Sequence, residues 1–372
     1  MLLEYSDNTT IIQQIELLQP TEYEVVMLLF SEHDQPDITT LIALLNQKNI
    51  RFFGGVFPGL IYGNQRVSNG CILKKFKSVF APFLIEGISE SRLDGIKSLG
   101  TNNLSKGGTA IILLDGLTNN IHLFLEMLND LIGEHCNFIG AGAGSSNLKQ
   151  QPCVFNHEGI KMDAAVVCLV EQKVHLGVRH GWEQLAGPLV ATHTNGNTIL
   201  QLNWQPAMLR YNQIIENDCG ISLNNDNFAS IAKAYPFGIL REKEDDIVRD
   251  PLAIGENGSI ICIGEVPTNT VLYVLKGQPH ALLQAAETAI RECGEGDKLP
   301  IECAGVFIVD CATRAEFLGN QFQEELNIIR NNLIINTNEQ EPYGVLSLGE
   351  ISSYGEGLLE FFNKTIVIGA FY

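Results

Sequence analysis

Apolar residues along the chain fall in blocks of strand length, separated by stretches where they recur every three or four positions, and this alternation returns three times. Residues 24 to 31, EVVMLLFS, form a continuous apolar run. Ile38, Leu41, Ile42 and Leu45 then follow a helical spacing, and IRFFGGVFPG at 50 to 59 and a later GCIL read as strands again. TAIILLDG at 109 to 116 is followed by Ile121, Phe124, Leu125, Leu128, Leu131 and Ile132, then by CNFIGAGAG and DAAVVCLV. GVFIVDCATR at 305 to 314 is followed by Phe322, Leu326 and Ile329, then by YGVLSLGEI at 343 to 351 and TIVIGAF at 365 to 371. Period and run length predict strand, helix, strand, turn, strand in each copy. A strand joined to the next by a helix makes a right-handed crossover, so the first two strands of each copy are expected to be parallel, with their carboxyl ends on one edge. Open sheets take ligands beyond that edge.

Between the second and third copies the pattern changes. KVHLGVRHGW at 173 to 182 alternates Val174, Leu176 and Val178 against His175, Gly177 and Arg179, and His180 has the parity of the buried set. A helix is expected after Pro206, a boundary in the Asn- and Asp-rich stretch 215 to 230, then a meander of strands, and an amphipathic helix at HALLQAAETAIREC. The resulting fold class is α+β: mixed β-sheets with flanking helices, built from repeated βαββ units in two related domains.

The 372 residues are enough for two or three domains, each with its own core. A formal charge of −19, with no Lys/Arg run, argues against nucleic acid as a partner. No apolar stretch reaches the length a bilayer needs and MLLEYSDNTT is no signal peptide, so the expected location is the cytoplasm, with no membrane partner. Nine cysteines without a C-x-x-C pair give neither a disulfide framework nor a zinc ribbon.

Gly140, Gly142 and Gly144 follow G-x-G-x-G, not the G-x-G-x-x-G of a dinucleotide site, and no helix start follows them. They end the second strand of the second copy, where they either let a backbone approach a ligand or serve bends and sheet packing. In the third copy Cys311 and Arg314 follow the first strand and Glu350 the second, so all three are expected at one carboxyl edge. Glu350 calls for a cationic partner, Arg314 or Arg249. Together with the thiol they would grip the carboxylate and amine of an amino-acid-like ligand, or form a structural ion pair. Asn363 and Thr365 would cap the cleft or build a turn.

G-x-S-x-G, H-E-x-x-H and P-loop signatures are absent, so a binding protein rather than an enzyme is expected. An enzyme with a site assembled from distant residues, or a protein-interaction scaffold whose acidic surface suits a basic partner, remain the alternatives.

YPFGI, VRDP, ENGSIICIGEVPTNT, CATR, GVLSLGEI and FNKT resemble successive blocks of the FIST carboxyl-terminal domain. VVMLLF, GGVFPG, FIGAGAG, RHGW and QPAMLRY resemble blocks of its amino-terminal partner. The resemblance covers roughly residues 22 to 370 and implies an amino-terminal domain at 22–215 and a carboxyl-terminal domain at 231–370. It implies an intracellular sensory protein that binds a small ligand, with Trp182 of the RHGW block among the ligand-binding candidates. It also implies a signalling partner, such as a histidine kinase of a bacterial two-component system. Stand-alone members that sense nitric oxide through haem make haem b a possible cofactor. His180 is then the first candidate iron ligand and His193 the second. No kinase, cyclase, chemoreceptor or F-box segment is read in the chain, so output is expected through the partner.

Overall fold

The computed structural model describes residues 1–4, 7–78, 80–91, 108–133, 136–241, 245–294, 303–334, 341–354 and 358–372. All three repeats form as their apolar periods require. In the first, strands Glu24–Ser31 and Phe52–Phe57 run parallel, joined through helix Ile38–Gln47, and Cys71–Lys77 returns antiparallel to the first strand. In the second, Gly108–Asp115 and Cys136–Ala143 run parallel around helix Ile121–Ile132, with Ala164–Val170 antiparallel. In the third, Gly305–Cys311 and Tyr343–Ser347 run parallel around helices Ala312–Leu318 and Phe322–Ile334, with Ile366–Phe371 antiparallel. Each helix turns the apolar stripe seen in the sequence onto its sheet: Leu41 and Leu45, Phe124 and Leu128, and Leu326 and Ile329 are all buried. Asp37 caps the first of these helices through the Thr40 amide.

What the repeat pattern omits is a hairpin after the second strand of every copy, and each hairpin completes the sheet of another copy. Gly59–Tyr62 with Gln65–Val67, from the first copy, pairs with Tyr343–Ser347 of the third. Val154–Asn156 with Gly159–Lys161, from the second, pairs with Phe52–Phe57 of the first. Glu350–Tyr354 with Leu358–Phe362, from the third, pairs with Cys136–Ala143 of the second. The exchange is cyclic, so no copy owns a complete sheet. Strand Val174–Arg179 adds to the third copy's sheet beside Ile366–Phe371.

The meander forms a separate antiparallel sheet in the order Glu183–Asn195, Thr270–Lys276, Phe237–Ile239, Ile247–Ile254, Ile260–Ile263 and Thr198–Leu202. Pairing of the first of these strands with the last closes it into a barrel of six strands. Leu189, Ile199, Phe237, Ile260, Leu272 and Val274 belong to its core, together with Tyr211 and Ile215 of helix Ala207–Cys219. That helix starts after Pro206, as expected, and Pro279–Glu292 forms the expected amphipathic helix. The stretch 215 to 230 runs through the end of one barrel helix to the start of another, Phe228–Ala232. No helix among the described residues is long and apolar enough to cross a membrane.

Candidate functional site

A cavity of about 320 Å³ lies where the second copy meets the barrel and the exchanged hairpin of the third. One wall is the turn Gly116–His122, at the carboxyl end of strand Gly108–Asp115. Asp115 builds this turn: its Oδ1 accepts the Leu117 amide at 3.1 Å, and its Oδ2 accepts the Asp163 amide at 2.8 Å and Gln150 Nε2 at 2.7 Å. Asn120, at φ 61°, takes the left-handed conformation that asparagine tolerates, and the helix Ile121–Ile132 starts from it. The opposite wall comes from the barrel: Ile239, Ile247, Arg249, Leu252, Cys262 and the loop Ile263 to Pro267. Glu360 and Phe361 close the third side. The edge on which the cavity sits is the one the parallel crossovers select, but it belongs to the second copy.

Most of the lining is apolar, and several of its polar groups hold one another. Glu265 reaches across from the barrel, accepting the Asn120 amide on Oε1 at 3.0 Å and pairing with His122 Nδ1 through Oε2 at 2.5 Å. A carboxylate there complements the positive end of the helix dipole. Gly264, at φ 76°, lets the chain pass, because a Cβ at that position would stand 3.0 Å from both Arg249 Nε and Asn363 Oδ1. Arg249 is 7% exposed. Its Nε donates to the Glu265 carbonyl at 2.8 Å, and its Nη1 donates to the carbonyls of Val248 at 3.0 Å and Phe361 at 3.1 Å. Burial lowers its pKa, opposed by Glu360 and Glu265 nearby.

Of the residues singled out from the sequence, Arg249 lines this cavity; the others do not. Cys311, Arg314 and Glu350 do gather at the carboxyl edge of the third copy, inside the core, where Arg314 and Glu350 have no exposed surface and Cys311 is 3% exposed. The expected grip of an arginine on Glu350 does not form. Glu350 accepts from the Ser347 hydroxyl and from the Thr365 amide, while Arg314 donates through Nη2 to Glu325 Oε2 at 2.6 Å and to the Leu282 carbonyl at 2.7 Å, and through Nη1 to the His180 carbonyl. The reason is reach: the helix Phe322–Ile334 places Glu325 against Arg314, and Ser347 sits three residues before Glu350 at its own turn.

Two cations and four carboxylates share this core. Arg314 pairs with Glu325 and lies 3.6 Å from Asp310, and Lys364 pairs with Asp250 at 3.1 Å, with Thr313 also donating to Asp250. Burial, then the Glu325 charge, raises the Asp310 carboxyl well above its ordinary value. Burial likewise lifts Glu350 to about 8, against the pull of its hydrogen bonds, and the Cys311 thiol to about 12. Raised carboxyls at Asp310 and Glu350 favour their neutral forms, which lessens the charge this buried cluster has to hold. Asn363 lies behind the cavity wall, and neither of its side-chain polar atoms has a hydrogen-bond partner among the described residues.

His180 is buried, as its parity predicts. Its Nδ1 accepts the Trp182 amide at 2.8 Å, and burial lowers its pKa. Trp182 donates its indole N–H to the Lys364 carbonyl at 2.9 Å. The space beside His180 measures about 10 Å³, far too small for a porphyrin, so these residues do not fit haem held by His180. His193 is exposed on strand Glu183–Asn195. Gly140 and Gly142 serve close packing: a Cβ would lie 2.2 Å from the Ile112 carbonyl oxygen in one case, and 3.1 Å from Gly116 Cα and 3.0 Å from Leu348 C in the other. Gly142 is thus where the exchanged hairpin crosses the second copy.

The sequence reading missed the turn Gly116–His122 and Glu265. A signal for the turn was present in DGLTNN, an Asp-, Gly- and Asn-rich segment between a parallel strand and its crossover helix. Glu265 lay in the quoted block ENGSIICIGEVPTNT, but nothing local announces that it caps a helix 145 positions away.

Residues 25–205 match the family model of the FIST N domain, and residues 207–353 match that of the FIST C domain. No curated protein matches the chain.

Proposed function

The chain belongs to the FIST family, whose domains are associated with signal transduction and small-ligand sensing, and from that premise we propose that it senses a small molecule held in the cavity at Gly116–His122 and Arg249. One observation carries this reading: the cavity is walled by three parts of the chain that are distant in sequence, so a single occupant touches the second repeat, the barrel and the exchanged hairpin together. A ligand bridging such parts shifts their relative arrangement by the difference in its affinity for the two states. The occupied form then regulates a signalling partner, such as a histidine kinase. A binding role is supported by the state of the Cys311 thiol, which is buried and held up at about 12, far from what a nucleophile needs.

The test is a thermal-shift screen of small metabolites on the purified protein, repeated on Leu117→Trp, which fills the cavity from its half-buried rim. A ligand at about 100 times its Kd contributes ~2.7 kcal/mol, a melting rise of several degrees. The rise is expected in the wild type and not in the variant. A rise that persists undiminished in Leu117→Trp would remove the cavity from the account. With a ligand in hand, kinase autophosphorylation in the presence of the protein should change on ligand addition; an unchanged rate would set aside the kinase as partner.

A further inference from the structure

Resting on the ligand reading above, we infer that the occupant of the cavity is an apolar monocarboxylate, its carboxylate seated between Arg249 and the amino end of helix Ile121–Ile132, with no seat for an ammonium group. Each oxygen of Glu265 already holds a partner, one the Asn120 amide and the other His122. Glu360 has a partner of its own as well. Thr118 donates to Asp163, and Asn197 to the Cys262 carbonyl. An amine entering the cavity therefore has to share a carboxylate that already holds a partner, whereas a carboxylate meets open donors.

Donors remain open instead. Among the described residues, Arg249 Nη2 has no hydrogen-bond acceptor, although the side chain is 7% exposed. The amides of Ile121 and His122, in the first helical turn, also have none, because the first intrahelical bond is that of the Phe124 amide to the Asn120 carbonyl and the Asn120 side chain is turned away to the Ser89 carbonyl. Helix amides and a guanidinium facing one cavity are an arrangement that takes a carboxylate. The rest of the wall, Leu117, Ile121, Ile239, Ile247, Leu252 and Phe361, takes a branched or aromatic hydrocarbon body.

The experiment uses three compounds with one six-carbon skeleton: 4-methylpentanoate, L-leucine and 4-methylpentylamine, titrated calorimetrically into the protein. The acid is expected to bind, leucine about tenfold more weakly or worse, and the amine not at all. Amide NMR should show the Ile121 and His122 signals moving with the acid, a readout that needs no substitution. Arg249→Lys, which keeps the charge but loses Nη2, should weaken the acid at least about tenfold; Leu117→Trp, which leaves Arg249 in place, should abolish its binding. If leucine or the amine binds as tightly as the acid, and Leu117→Trp abolishes that too, the ligand reading stands and the carboxylate assignment is overturned. If the acid binds without moving the two amides, the seat is wrong. No binding of any of the three at millimolar concentration overturns the inference outright.

Discussion

Arg314 and Glu325 meet with neither side chain exposed, Nη2 to Oε2 at 2.6 Å, and they lock helix Ala312–Leu318 to helix Phe322–Ile334 beneath the third sheet. Breaking a buried pair from one side leaves an uncompensated charge in a dry place. Arg314→Met is expected to lose about 3–5 kcal/mol in urea unfolding at neutral pH. Adding Glu325→Gln to it should recover part of that loss, because the stranded carboxylate is then gone. A double variant no more stable than the single would show that packing and the bonds to His180 and Leu282 carry the cost instead.

Glu350 makes stability fall as pH rises. Its carboxyl is lifted to about 8 in the folded protein, whereas in the unfolded chain it ionises near 4.5. Between these values the folded state holds a proton that the unfolded state has given up, so its contribution is fully present below about 4.5 and is lost progressively towards 8, at up to about 1.4 kcal/mol per pH unit. Glu350→Gln should flatten the unfolding free energy measured across this window. An unchanged slope would assign the effect to Asp310, which is raised in the same direction.

At Gly142 the obstruction to a side chain is backbone: Gly116 Cα, Leu348 C and Gly349 N all stand within 3.2 Å of a Cβ. Gly142→Ala should therefore push the exchanged hairpin off the second sheet, at about 1–3 kcal/mol. Hydrogen exchange at the Gly142 and Leu348 amides, which bond to Gly349 and Gly142 carbonyls, is expected to quicken first. Equal protection in variant and wild type would refute this.

For His180 the expectation is spectroscopic silence. Haemin added to the wild type and to His180→Ala should give the same visible spectrum, since the imidazole faces about 10 Å³ of space. A Soret band present in the wild type and lost in the variant would contradict the geometry.

What the chain's pattern disclosed was local. Leu41, Phe124 and Leu326 sit at helical spacing and are buried as that spacing demands, and the parallel pairing within each copy follows from the crossover. The destinations of the hairpins were not legible, because the short apolar run Gly59–Tyr62 says that the strand is buried without saying whose sheet supplies the neighbour. The same limit governed the site. Arg249 stands out in the sequence only as a possible partner for Glu350, and its cavity depends on Glu265 meeting Asn120 and on Phe361 arriving from the third repeat, contacts that no spacing encodes. Cys311, Arg314 and Glu350 were correctly gathered at one edge, but whether that edge is open or sealed depends on how helix Phe322–Ile334 covers it.

The traded hairpins also set a timetable for biosynthesis. The first repeat waits for residues 154 to 161 before its sheet is whole, and the second waits for residues 350 to 362, made only after the whole barrel. The third borrows from residues 59 to 67, made long before it. A nascent chain on the ribosome therefore carries an unfinished sheet edge from the second repeat until residues 350 to 362 emerge, an interval in which it can stick to its neighbours and has most need of a chaperone.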